Sequence, residues 1–86
     1  MIRIVTADDH AVVRRGIQEI VSSEPDMEVV AEAATAQELL DCVQKCACDA
    51  VLLDITLPGR SGLEVLKELK QGSSKLPVLI LTMHAE

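Results

Sequence analysis

The 86-residue sequence contains no Phe, Tyr or Trp. Without aromatic rings there is no platform for stacking bases and no cage for a quaternary ammonium group, which excludes both kinds of recognition. Basic residues are also scarce: 8 Lys and Arg stand against 14 Asp and Glu, for a net charge of -6. Such a surface repels phosphate backbones and anionic lipid, so neither nucleic acid nor membrane is expected as a partner of this segment. No apolar run approaches the roughly 18 residues of a membrane-spanning helix. The opening stretch from Met1 to Val5 is too short for a signal peptide. The expectation is a soluble, cytoplasmic protein.

Cysteine is limited to Cys42, Cys46 and Cys48. An odd number of thiols without a secretion signal makes a poor disulfide framework. A closed zinc site wants four ligands, and neither His10 nor His84 lies near these thiols in sequence. The simpler reading places Cys46 on the apolar face of a helix with Cys42 beside it, both as small hydrophobes.

With 49% hydrophobic residues, the chain can form one packed domain. Its apolar pattern alternates between two periods. Ile2 to Ala7 is a β-branched run that meets two aspartates, which predicts a strand. Val13, Ile17, Ile20 and Val21 then recur at helical spacing between His10 and Ser23, and Pro25 stops that helix. Glu28 to Ala33 is a second strand. Thr35 and Glu38 form a capping box, opening a helix with Ala36, Leu39, Leu40, Val43 and Cys46 on one face. Ala50 to Leu53 is a continuous apolar strand ending at Asp54, the pattern of a strand covered on both faces. Ser61 and Glu64 form a second capping box, and Leu63, Leu66 and Leu69 are expected to face inward. Pro77 to Thr82 supplies a fourth strand. A β-α-β-α-β-α-β order implies a parallel sheet with helices on both faces and right-handed crossovers.

Ligand sites in open α/β sheets lie outside the carboxyl ends of the strands. The first strand runs into Asp8 and Asp9, the third ends on Asp54 and the fourth on Thr82. Singly, each aspartate has a structural reading, as a helix cap or in a solvated turn. Together they place three carboxylates close to one another if the first and third strands are neighbours. Two unit charges about 4 Å apart repel by about 4 kcal/mol at an effective dielectric of 20. A hard divalent cation such as Mg2+ is the natural counter-charge for carboxylate oxygens and water.

These residues resemble a known family. Asp8-Asp9-His10 is similar to the acidic pair of response-regulator receiver (CheY-like) domains. The loop from Asp54 through Pro58 to Gly62 resembles the family's phosphoacceptor loop, and Leu81-Thr82-Met83-His84 resembles the strand end that carries its switch hydroxyl. The wording is most similar to receivers of two-component transcriptional regulators with a LuxR-type helix-turn-helix output domain. The resemblance implies a flavodoxin-like, doubly wound α/β sheet of order 2-1-3-4. It implies that Asp54 accepts a phosphoryl group from a sensor histidine kinase or a small acyl phosphate. Asp8, Asp9, Asp54 and the backbone carbonyl of Thr56 would hold Mg2+, and Thr82 would turn its hydroxyl to the phosphate. This is self-phosphorylation rather than turnover of an external substrate, so the domain is not expected to be an enzyme.

Pro58 and Gly59 are expected to shape the turn, Ser61 to cap the following helix, and Arg60, His10 and His84 to be surface residues bordering the site. The sequence departs from the family at its end. No lysine follows Thr82, and Lys75 precedes the fourth strand, at the opposite edge of the sheet. Residues 1–86 are therefore expected to form a receiver domain incomplete at the C-terminus, lacking the usual last strand and helices, with DNA contacted only through an absent output domain. Self-association through the exposed fourth strand follows from that expectation. The alternative is a receiver-like interaction module that is not phosphorylated. A haloacid-dehalogenase phosphatase fits less well, because Thr56 stands where that family usually places a second aspartate. No G-x-G-x-x-G follows the first strand to support dinucleotide binding.

Overall fold

The computed structural model describes residues 1–54, 57, 61–72 and 75–81. It contains β1 (Ile2–Ala7), α1 (Ala11–Ser22), β2 (Met27–Ala33), α2 (Ala36–Lys45), β3 (Ala50–Asp54), α3 (Gly62–Gly72) and β4 (Val78–Leu81). Local chemistry sets several of these boundaries. The Thr35 hydroxyl accepts from the Glu38 N–H at 3.2 Å, and the Glu38 carboxylate reaches back to the Ala34 N–H at 2.8 Å. The Ser61 hydroxyl likewise accepts from the Glu64 N–H at 3.2 Å. The two hydroxyl bonds each satisfy a donor that the first turn of a helix leaves open, and the Glu38 bond fixes the residue just ahead of the cap.

All strand pairs are parallel, in the order β2-β1-β3-β4. The chain moves from β1 outward to β2, then returns past β1 to β3 and continues to β4. Right-handed crossovers in opposite directions put α1 on one face and α2 and α3 on the other. The core lies on the second face, where Val5, Ala7, Val51 and Leu53 pack with Ala36 and Leu39 of α2 and with Val65 and Leu69 of α3. Between β1 and β3 the direction of travel reverses, and in such sheets the crevice at that point is the binding position.

Several expectations about burial need correction. In α3 the buried residues are Gly62, Val65 and Leu69, whereas Leu63 is 60% exposed. The inward stripe is thus rotated from the one predicted, because the helix must meet Leu53 and Val51 rather than maximise its leucines. In α1 only Val21 is buried, and Ile20 is 69% exposed. That helix lies against the edge strand β2, so it has little surface to cover. In β3, Val51 and Leu53 are buried on the α2–α3 side, whereas Leu52 on the other face is half-buried.

The three cysteines are free. Cys42 and Cys48 pack against the core, while Cys46 caps the end of α2 in extended geometry rather than lying on its apolar face. Burial pushes the Cys42 and Cys48 thiols above their ordinary range. This suits inert packing residues rather than thiolate ligands.

At the start of the sheet, Asp49 ties β3 to β1. Its carboxylate accepts the Arg3 N–H at 2.8 Å, its own N–H donates to the Arg3 carbonyl at 2.7 Å, and the guanidinium lies 3.5 Å away. The backbone hydrogen bond, aided by the guanidinium, holds the Asp49 carboxyl below its ordinary 3.8. A lowered native value contributes stability above the unfolded pKa and loses it as pH falls through the native one. Asp49→Ala is expected to lower the urea midpoint at neutral pH, and the gap to the unmodified chain should close as pH falls below the ordinary carboxyl range. A gap of constant size across that range would show that the charge is not the source.

Candidate functional site

The site is built where two buried strands end side by side. Pairing of Ala7 with Leu53 leaves Asp8 as the next residue on one strand, beside Asp54 at the end of the other. The sheet ladder itself holds Asp8, whose N–H donates to the Ala33 carbonyl of β2 at 2.9 Å. Asp54 is paired with Leu81 of β4. The Leu57 N–H donates to the Asp54 carbonyl at 3.3 Å. Leu57 is itself sunk into the core, so this bond ties the end of β3 to a buried side chain.

Asp8 and Asp54 are buried to 1% and 0% exposure, a rare state for carboxylates without a compensating charge. Asp9 and His10 stand at the rim. Asp8 does part of what a capping residue does: its Oδ1 accepts the His10 N–H at 2.6 Å, just ahead of α1. Its other oxygen, Oδ2, is buried and has no hydrogen-bond partner. An orphaned carboxylate oxygen in a site with low solvent access calls for a cation.

One atom from each of Asp8, Asp9, His10 and Asp54 can be chosen so that all lie within 4.8 Å of one another. Three hard carboxylates suit an oxygen-loving divalent ion. The sequence-predicted trio of acids is therefore brought together as an acidic pocket able to bind a metal. Thr56 and Thr82 lie outside the described residues, as do Pro58, Gly59, Arg60 and His84.

His10 is more than a surface residue bordering the site. It is the N-cap residue of α1 and makes no side-chain cap bond there. Instead its Nδ1 lies 3.2 Å from Asp8 Oδ1, 3.1 Å from Asp9 Oδ1 and 3.6 Å from Asp54 Oδ2. The hydrogen bond to Asp8 raises its pKa above 6.5, with the charges of Asp9, Asp8 and Asp54 acting in the same direction against partial desolvation. Its place directly after an acid pair was the signal available in sequence.

A family model described as response regulator receiver domain matches residues 4–86. The response regulator UvrY of Escherichia coli (strain K12) is 33% identical over 86 residues, spanning 100% of this chain and 39% of its own length. Among solved structures, a LuxR-family two-component response regulator from Aurantimonas sp. SI85-9A1 superposes with a TM-score of 0.89 at 38% identity, covering 96% of this chain and 59% of that one. RcsB from Salmonella enterica serovar Typhimurium, bound to promoter rprA in the presence of phosphomimetic BeF3-, gives 0.90 at 25% identity, with 99% and 49% covered. The chain thus spans about two fifths of the curated relative and half or a little more of the solved chains.

Repulsion among the buried acids generates a prediction. Asp54→Asn removes one charge and keeps the shape of the side chain. In chelator-treated protein it is expected to raise the Tm by about 5 °C, the shift that roughly 1 kcal/mol produces in a domain of this size. A saturating divalent cation should abolish that gain. A variant less stable than the unmodified chain in chelator would mean that the acids do not repel as described.

Proposed function

The chain belongs to the response-regulator receiver family, and on that premise we propose that it is the phosphoacceptor domain of a two-component transcriptional regulator, with Asp54 as the acceptor. The observation that carries this reading is the burial of Asp54 beside Asp8, at the switch point of the sheet. The presence of a phosphomimetic in the solved RcsB complex supports it.

In the proposed reaction, a carboxylate oxygen of Asp54 forms a bond to phosphorus as the P–N bond of a phosphohistidine on a sensor kinase breaks. The electron pair leaves on the imidazole nitrogen, and a mixed anhydride of aspartate and phosphate results. A small acyl phosphate serves in the same way, its P–O bond breaking instead. Asp8 and Asp9, with Asp54 and the Thr56 carbonyl, would hold Mg2+, which supplies neutralisation of charge on the transferring group. Asp54 is held at the end of a buried strand, so the nucleophile is positioned without a search. Thr82 follows Leu81, the residue paired with Asp54, and is the proposed reader of the new phosphate. That phosphate adds about -1.5 to -2 charge, enough to bias a two-state element. The domain is modified rather than turning over an external substrate. DNA would be bound only by a part of the regulator outside these residues, and the regulator would work in the cytoplasm.

The deciding measurement is intact mass after incubation with acetyl phosphate. One phosphoryl adduct is expected in Mg2+, none in chelator, and none in Asp54→Asn. Equal labelling of the variant would move the acceptor elsewhere, and no labelling of the folded chain would favour an interaction module.

Self-association through β4 is part of the same proposal. Among the described residues β4 is the sheet edge, and Leu79 on it is 60% exposed. An apolar edge strand is a template for pairing with a second copy. Sedimentation equilibrium is expected to show mass rising above the monomer with concentration, and Leu79→Lys should return the monomer. A monomer throughout the accessible range would sink this arrangement.

A further inference from the structure

The position of His10 in the acid pocket bears on which ion the pocket selects. Its ring nitrogen faces three carboxylate oxygens at 3.1, 3.2 and 3.6 Å. A single N–H can point straight at only one acceptor, so hydrogen bonding from this nitrogen does not use all three. Ligands about 2.1 Å from a shared ion are separated by about 3.0 Å when they bind at right angles and by about 3.4 Å at tetrahedral angles. The observed spacings fall close to that range. The second observation is independent of the histidine: Asp8 Oδ2 is buried with no hydrogen-bond partner, on a side chain that is 1% exposed.

We propose that His10 Nδ1 is a ligand of the ion held by Asp8, Asp9 and Asp54, so that the pocket prefers a first-row transition-metal dication to Mg2+. The inference rests on the reading of the pocket as a metal site given above. Its chemistry is simple. Mg2+ takes oxygen and keeps its waters, gaining little from imidazole, whereas Co2+, Ni2+ and Zn2+ bind imidazole well. One nitrogen among three carboxylates leaves room for Mg2+ and adds a contact that only the borderline ions use fully. His10 is reached from solvent and precedes α1 without capping it through its side chain, so exchanging it leaves the helix start intact.

The test is a calorimetric titration of the chelator-treated 86-residue chain with Co2+ and, separately, Mg2+, at about pH 8. His10→Ala and His10→Asn are run alongside; Asn is itself a good N-cap residue and guards against loss of the helix start. The unmodified chain is expected to bind Co2+ more tightly than Mg2+. In both variants the ratio of the two affinities should fall by about tenfold, within the effect of losing one metal-supporting contact. The visible absorption of bound Co2+ should also change on loss of nitrogen ligation. If the variants bind both ions more tightly by the same factor, His10 is an internal counter-charge that competes with the metal, and the proposal is overturned. An unchanged ratio and spectrum overturn it as well, leaving the acid pocket as a metal site of oxygen ligands. Failure of both ions to bind the unmodified chain removes the metal reading itself.

Discussion

Repulsion between carboxylates that the sheet register forces together is the constraint around which this domain is organised. Pairing of Ala7 with Leu53 fixes Asp8 beside Asp54, and neither side chain is exposed to water. Each unit charge close to another in such a setting costs several kcal/mol at realistic dielectric. The hydrophobic contacts of Val5, Ala7, Val51 and Leu53 with α2 and α3 therefore hold an arrangement that electrostatics alone would push apart. Strain of this kind is common where a fold is shaped for a ligand rather than for stability. It also explains why the chemistry gathers at one end of the sheet while the other end carries the plain Arg3–Asp49 pair.

Much of the architecture was legible because its signals are local. The Thr35 and Ser61 caps lie within one turn of the helices they open, and the structure shows both bonds. The strand order followed from the resemblance, and the parallel sheet from the alternation of elements. What failed was the choice of helical face. Both Leu63–Leu66–Leu69 and Gly62–Val65–Leu69 are plausible stripes on α3, and they differ by a rotation that only the opposing strands decide. The sequence pattern favoured leucine over valine; packing chose Val65, which is fully buried.

The site shows the same division. The acids were visible because chain order places them at strand ends. His10 was not, because its role depends on a ring orientation that no spacing encodes. From sequence it was one more polar residue ahead of a helix. Among the described residues, the fold gathers four potential ligand groups at this point, and His10 supplies the only nitrogen of the four. The cysteines ran the other way. Their spacing invited a chemical reading, and the structure leaves Cys42 on α2 and Cys48 at the foot of β3 as packing residues.

The hydrogen bond from the Asp8 amide to the Ala33 carbonyl extends the β1–β2 ladder into the pocket. The acid cluster is therefore not carried on a separable loop. Opening it would mean unzipping the end of a central strand whose neighbours include the most buried side chains of the domain. Amide exchange at Asp8 would then proceed through the large-scale unfolding that governs core strands, not through the small fluctuations that govern loops. A ligand held by Asp8 and Asp54 is held by the ends of two core strands, and the energy of its binding passes directly into the cooperative unit of the fold.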